Sequence, residues 1–323
     1  MRAIWYPTTV ATLSYEIKQI IKEYLERTSD DALSQLDFKL HDFGARWVSS
    51  QESAMLGGMA HLVNFKGSDT LSGIMGARRY YGEMMAGFSI PASEHSTMTS
   101  WTREGEQKAY ENMVDTFGVK GGLFAVVCDS YDIYNAVSTI WGKNLKDKVK
   151  KSGATLIIRP DSGEPQKMVL EVIQRIYASF GGTINSKGYI VLDECVRIIQ
   201  GDGVDKDSIK MILQNLQEHG FSAENIAFGM GGALLQQPNR DTLSFAMKAS
   251  AICIDGMWRD VYKDPITDTS KGSKKGRLAV IEDFKTIRLE DLWQRENLLD
   301  PISRNGLLLK EDTFEAIRQR SQR

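Results

Sequence analysis

Cysteine is scarce: Cys128, Cys195 and Cys253 are the only three in 323 residues. Their odd number and their spacing fit neither a disulfide framework nor a metal-ligand set, so they point to a reducing compartment. No apolar run reaches membrane-spanning length and no signal-peptide pattern opens the chain. The expectation is a cytoplasmic protein that engages no membrane. Charge of one sign is also lacking. Forty basic residues stand against 42 acidic ones, a net of −2, which offers nucleic acid no overall attraction. Any anionic ligand must be held by local clusters. No sequence repeat is visible.

What remains, 42% hydrophobic and 25% charged, is the composition of an ordinary globular protein with room for one large α/β barrel or two domains. The most informative stretch is Leu156-Ile157-Ile158-Arg159-Pro160-Asp161-Ser162-Gly163. Its apolar residues read as a short buried strand ended by Pro160. Pro165 suits a first helical turn, and Met168, Val169, Val172, Ile173 and Ile176 follow at helical spacing.

The pattern of strand, polar turn and helix recurs. Strands are expected at Leu36–Leu40, Val63–Phe65, Gly87–Ile90, Leu123–Cys128, Leu156–Ile158, Val196–Gln200 and Ile226–Phe228. Ser49 and Glu52 suggest a capping box, and one long helix is expected from His95 to near Phe117. Seven such units in a row indicate an α/β barrel, with an open doubly wound sheet as the competing fold. Ile4–Val10 reads as extended, leading into a helix through Leu25, and a polar helix is expected from Glu311 onward. After residue 240 the texture turns antiparallel, with strands at Ser244–Cys253 and Met257–Tyr262 and a basic turn at 271–277. The expected division is a barrel over 31–240 and a second, incomplete α+β domain built from 1–30 and 241–323.

In a barrel the turns after the strands meet on one face, gathering His41, Asp69, His95, Asp129, Arg159, Asp161 and Asp202. Gly201-Asp202-Gly203 and Gly229-Met230-Gly231-Gly232 let backbone N–H groups approach a phosphate. Asp161 and Asp202 suit ribose hydroxyls or a Mg²⁺ shell, or else cap helices. His95, beside Glu94, suits acid, base or nucleophile chemistry, whereas His61 and His219 carry no assignment. Lys271, Lys274, Lys275 and Arg277 read as a solvated loop or a pyrophosphate clamp.

The blocks at 39–44, 48–52, 61–67, 94–97, 129–134, 158–163, 199–203 and 273–277 together resemble the nicotinamide phosphoribosyltransferase family, from near residue 1 almost to the end. That resemblance implies transfer of phosphoribosyl from phosphoribosyl pyrophosphate to nicotinamide, giving nicotinamide mononucleotide and pyrophosphate in NAD salvage. Mg²⁺ would serve as cofactor and ATP as an optional coupling substrate. It implies an irregular barrel in a homodimer, or a complex with a separate N-terminal chain, with active sites at the subunit interface. By resemblance Phe43 stacks on the nicotinamide ring, Arg46 lines that pocket, Asp69 accepts the amide NH₂, Asp129 binds substrate and His95 is phosphorylated by ATP. Arg159 borders the base and Asp161 holds the ribose, beside Gly201 and Asp202. Gly231, Gly232, Arg240 and Lys248 hold the 5′-phosphate, and Lys263, Lys271 and Arg277 approach the pyrophosphate. No residue is assigned as a metal ligand. Two departures stand out: the family carries a long further N-terminal segment, and Trp47 stands where glycine is usual. Two alternatives accompany the reading, a non-catalytic chain that only binds ligand and a nicotinate-specific enzyme.

Overall fold

The computed structural model describes residues 1–322 and divides into two units, Arg2–Thr242 with Thr313 onward, and Leu243–Asp312. In the first unit the strands are β1 (Leu40–Asp42), β2 (Gly67–Ser68), β3 (Leu123–Val127), β4 (Thr155–Arg159), β5 (Gly182–Ile184), β6 (Ile190–Leu192), β7 (Val196–Gln200) and β8 (Ile226–Met230). Six form one parallel sheet in the order β2-β1-β8-β7-β4-β3. The two edges are joined by the segment 88–93. Phe88 exchanges main-chain hydrogen bonds with Lys66 and Ser68, and Ala125 receives the Pro91 carbonyl while its own carbonyl binds the Ser93 N–H. These bonds close the sheet into an irregular ring. The expected third strand at Gly87–Ile90 is therefore present as a bridging segment too irregular for a regular ladder.

The helices are α1 (Arg2–Thr28), α2 (Gln51–His61), α3 (Leu71–Tyr81), α4 (His95–Thr99), α5 (Glu106–Phe117), α6 (Ile133–Asn135, continued by π-helix over Ala136–Asn144), α7 (Lys146–Ser152), α8 (Pro165–Phe180), α9 (Lys206–Glu218) and α10 (Gly232–Leu235). The core lies between sheet and helices. Val126, Leu156, Ile158, Val196 and Phe228 are sealed beneath Val169, Val172, Ile173, Ile176, Ile209 and Ile212.

Several expectations are corrected. Ile4–Val10 is helical, because Pro7 sits early enough in α1 to be tolerated and Tyr6, Val10, Ile17, Ile21 and Leu25 share its buried face. Helix α1 packs on α2 and α9, and Thr28 Oγ1 accepts from Ala223 N at 2.9 Å. The first thirty residues thus group with the parallel sheet and not with 243–312. Ser50, not Ser49, caps α2, accepting from Ser53 N at 3.0 Å. The second strand falls at 67–68, since Val63–Phe65 continues the end of α2. The long helix after His95 is interrupted around Thr102, whose φ is 62°. The β5–β6 hairpin had no strand expectation.

The second unit consists of hairpins: β9 (Ala251–Ile254) with β10 (Met257–Asp260), β11 (Leu278–Ile281) with β12 (Lys285–Arg288), and β13 (Ser303–Arg304) with β14 (Leu307–Leu308). Positive φ at Asp255 and Gly256, and at Asn305 and Gly306, gives the tight turns their hand. The final helix α11 (Phe314–Ser321) returns to the first unit. Phe314 is buried beside Met59 and Leu62, and Arg318 Nε donates to Leu62 O at 2.9 Å.

Candidate active site

The turns after the parallel strands surround a cavity of about 700 Å³, lined among others by Phe43, Arg46, Trp47, Asp69, Glu94, Arg159, Asp161, Gly201, Asp202, Gly231 and Gly232. Most of the residues singled out from sequence in the first unit thus meet although they lie up to 189 positions apart, from Phe43 to Gly232. Arg240 does not line the cavity; it is exposed and pairs with Asp241 at 2.5 Å. Lys248, Lys263, Lys271 and Arg277 belong to the second unit. There Lys263 N donates to Ser273 Oγ, Lys271 pairs with Asp268 at 3.1 Å, and Arg277 lies over the Trp258 ring at 5.2 Å.

At the centre is a chain of charges. Arg159, almost fully buried, reaches Asp161 at 3.2 Å and Glu94 at 3.3 Å, and Glu94 also faces Arg46 at 3.6 Å. His95 Nε2 lies 2.9 Å from Asp129 Oδ1, and its Nδ1 lies 3.9 Å from Asp161. Burial pushes the Asp161 carboxyl above its usual range; Asp129 and Asp202 add to this, while Arg159 and His95 oppose it. Such a carboxyl has spare acceptor capacity and a strong preference for a hydrogen-bond donor. Glu94 was noted in the sequence only as a neighbour of His95. Its two arginine contacts come from the β1 turn and β4, which no local spacing reveals.

The helix-cap readings of the aspartates do not hold. Helix α8 starts at Glu164 and Pro165, and α9 is capped by Asp205, which accepts from Ser208 N at 2.7 Å. Asp161 and Asp202 are left to face the cavity. Gln200 Nε2 fixes the second turn by donating to Asp202 O at 2.7 Å. Nor does Asp69 cap α3, whose N-cap is Thr70; it accepts from the Ser89 hydroxyl on the bridging segment.

Two aromatics of the β1 turn lean on glycines of β8 and its turn. A Cβ on Gly229 would lie 2.0 Å from Phe43, so only glycine lets that ring lie across the strand end. A Cβ on Gly231 would lie 2.5 Å from Trp47 Nε1. Beneath Phe43, Asp42 is fully buried. Its Oδ1 accepts from Gly44 N at 2.7 Å, its backbone carbonyl accepts from Asp69 N at 2.9 Å, and its Oδ2 has no partner. Desolvation raises its pKa to about 6. The turns after β1 and β2 are thereby held to one residue.

Among the described residues no three His, Cys, Asp or Glu side chains gather closely enough to hold a metal ion, and no helix is long and apolar enough to cross a membrane.

The model of a family described as the nicotinate phosphoribosyltransferase (NAPRTase) family matches residues 38–306. A nicotinamide phosphoribosyltransferase of Xanthomonas campestris pv. campestris is 51% identical over 98% of this chain and 69% of its own length. One of Mycoplasma genitalium is 38% identical over 88% of this chain and 62% of its own, and one of Acinetobacter baylyi 31% over 98% and 67%. The chain thus spans roughly two thirds of the length of these relatives. The crystal structure of nicotinate-nucleotide pyrophosphorylase from Pyrococcus furiosus shares the fold, with a TM-score of 0.61 at 19% identity over 98% of this chain and 69% of that one.

Proposed function

The chain belongs to the nicotinate phosphoribosyltransferase family, and on that premise we propose that it transfers phosphoribosyl from phosphoribosyl pyrophosphate to nicotinamide. The bond from C1′ to the pyrophosphate oxygen breaks and a bond from C1′ to the pyridine nitrogen forms, giving nicotinamide mononucleotide and pyrophosphate. The single observation that best supports this is the Arg46–Glu94–Arg159–Asp161 chain set beside Phe43 and the two glycine turns in one cavity. As C1′ becomes oxocarbenium-like, the protein's task is to hold the reactants and neutralise charge, without covalent attack.

In this reading Phe43 stacks on the pyridine ring, Arg159 borders it, and Asp161 accepts from the ribose hydroxyls. Gly231 and Gly232 present N–H groups to the 5′-phosphate. Asp69 distinguishes amide from carboxylate. With one oxygen taken by Ser89, the other accepts from an NH₂ and meets a nicotinate carboxylate as like charge. Asp161 and Asp202, two of the carboxylates that line the cavity, would hold a Mg²⁺ brought in with the pyrophosphate, a mode needing only one or two protein carboxylates. When bound, the cation would neutralise the leaving pyrophosphate. His95, held by Asp129, is the group for ATP-dependent phosphorylation. The working form is a homodimer or an assembly with a second chain.

The test is turnover by the purified chain with phosphoribosyl pyrophosphate, Mg²⁺ and either base. Mononucleotide forms from nicotinamide, with nicotinate disfavoured by about 10⁴-fold. Equal use of the two bases overturns the specificity while leaving the reaction class. Tight ligand binding without turnover replaces the proposal with a non-catalytic binding chain.

A further inference from the structure

Trp47 has no role in the reading above, yet it lines the same cavity and leaves 55% of its surface open. It sits in the short 3₁₀ turn Ala45–Trp47, directly after Phe43 and Gly44. Its orientation is specific. The edge nearest Gly231 is the pyrrole edge, with Nε1 2.5 Å and Cδ1 2.9 Å from the position a Cβ would take there. At Gly232 the nearest atoms are Cδ2 and Cε3, both at 3.2 Å. The indole therefore crosses the glycine turn with its N–H at Gly231 and its six-membered ring beyond.

Among the described residues the cation over the ring is the Arg46 guanidinium, 6.0 Å from its centroid, and the indole N–H has no acceptor. An indole nitrogen can only donate. Arg46, the glycine backbone and the indole thus present donors from one wall of the cavity. The acceptor they call for is an anionic oxygen of a ligand. A donor to a charged oxygen is worth more than one to a neutral group.

We propose that Trp47 is a substrate-contacting residue whose indole N–H donates to the 5′-phosphate held at the Gly231–Gly232 turn, an assignment that rests on the proposed function. Glycine at these two positions then serves two ends, room for the phosphate and room for the indole that covers it. A side chain at Gly231 would displace the indole before it touched the ligand.

The experiment is calorimetric binding of ribose 5-phosphate and, separately, nicotinamide to the full chain and to Trp47→Phe and Trp47→Gly. Trp47→Phe keeps an aromatic face but removes the N–H; it is expected to weaken ribose 5-phosphate by about tenfold while leaving nicotinamide unchanged. Trp47→Gly is expected to weaken ribose 5-phosphate at least as much. Unchanged affinity for ribose 5-phosphate in Trp47→Phe overturns the role of the N–H and leaves the proposed function standing. Tighter binding in Trp47→Gly overturns it too, by making the indole an obstruction. A wild-type chain that binds neither ribose 5-phosphate nor phosphoribosyl pyrophosphate overturns both readings.

Discussion

The two units differ in what they bury. The first seals Trp141, Tyr110, Phe65, Phe124 and Phe228 in a continuous core, while the second buries only Gly276, Ala279 and Ile281. In the second unit Ile266, Phe284 and Trp293 are 98%, 86% and 87% exposed. Two-stranded hairpins are marginal on their own, so the second unit is organised by turns and cross-strand pairs where the first is organised by burial. One chain thus carries both a unit that stands by its core and a unit rich in uncovered apolar side chains, of the kind that promote association.

That contrast can be broken in order of effect. Asp161→Ala, in the buried charge chain of the first unit, is expected to cut mononucleotide formation by about 10²–10⁴-fold in the assembled enzyme. Near-normal turnover would remove Asp161 from the mechanism. Trp141→Ala should cost about 3–5 kcal/mol in urea unfolding, against less than about 0.5 kcal/mol for Trp293→Ala. Comparable losses would mean that the exposed tryptophan is covered in solution.

Asp42 sharpens the comparison through pH. Its folded pKa, about 6, lies above the ordinary 3.8. The folded chain therefore binds this proton more tightly than the unfolded chain does. The associated stability is complete below about pH 4 and is lost as pH rises through 6, a total of about 3 kcal/mol for roughly two pKa units. Asp42→Asn should flatten that part of the stability profile; an unaltered profile would mean that Asp42 titrates normally. A more modest loss, about 1–3 kcal/mol, is expected for Arg318→Ala, which leaves the Leu62 and Ala86 carbonyls without their donor. If its unfolding midpoint matches the wild type, α11 is not anchored to the first unit.

The barrel and most of its mouth were legible because each strand is a short apolar run ended by chemistry-bearing turn residues, as in Leu156–Asp161 and Val196–Asp202. Elements that depend on partners distant in sequence were not. Ile4–Val10 looks extended by its β-branched residues and becomes helical only because α2 and α9 receive its apolar face. Gly87–Ile90 reads as strand-like, but that residues 88–93 close the ring rests on main-chain bonds to Lys66, Ser68 and Ala125, which no local pattern reveals. Glu94 gained its importance from two arginines on other turns, and Trp47 from glycines 184 and 185 positions away.

The ring has a consequence for how the chain is made. Strand β1 pairs on one side with β2, 25 residues ahead, and on the other with β8, whose Phe228 faces Leu40. Until residue 230 has left the ribosome, one long edge of β1 has nothing to pair with, and the first helix lacks α9 to rest on. Contacts this remote make for slow folding and leave an adhesive strand edge exposed during synthesis. Completion waits longer still, because Phe314 and Arg318 join the first unit only after the intervening residues 243–312 have been made. The unpaired edge of β1 is the feature that a chaperone acting on such a nascent chain would have to shield.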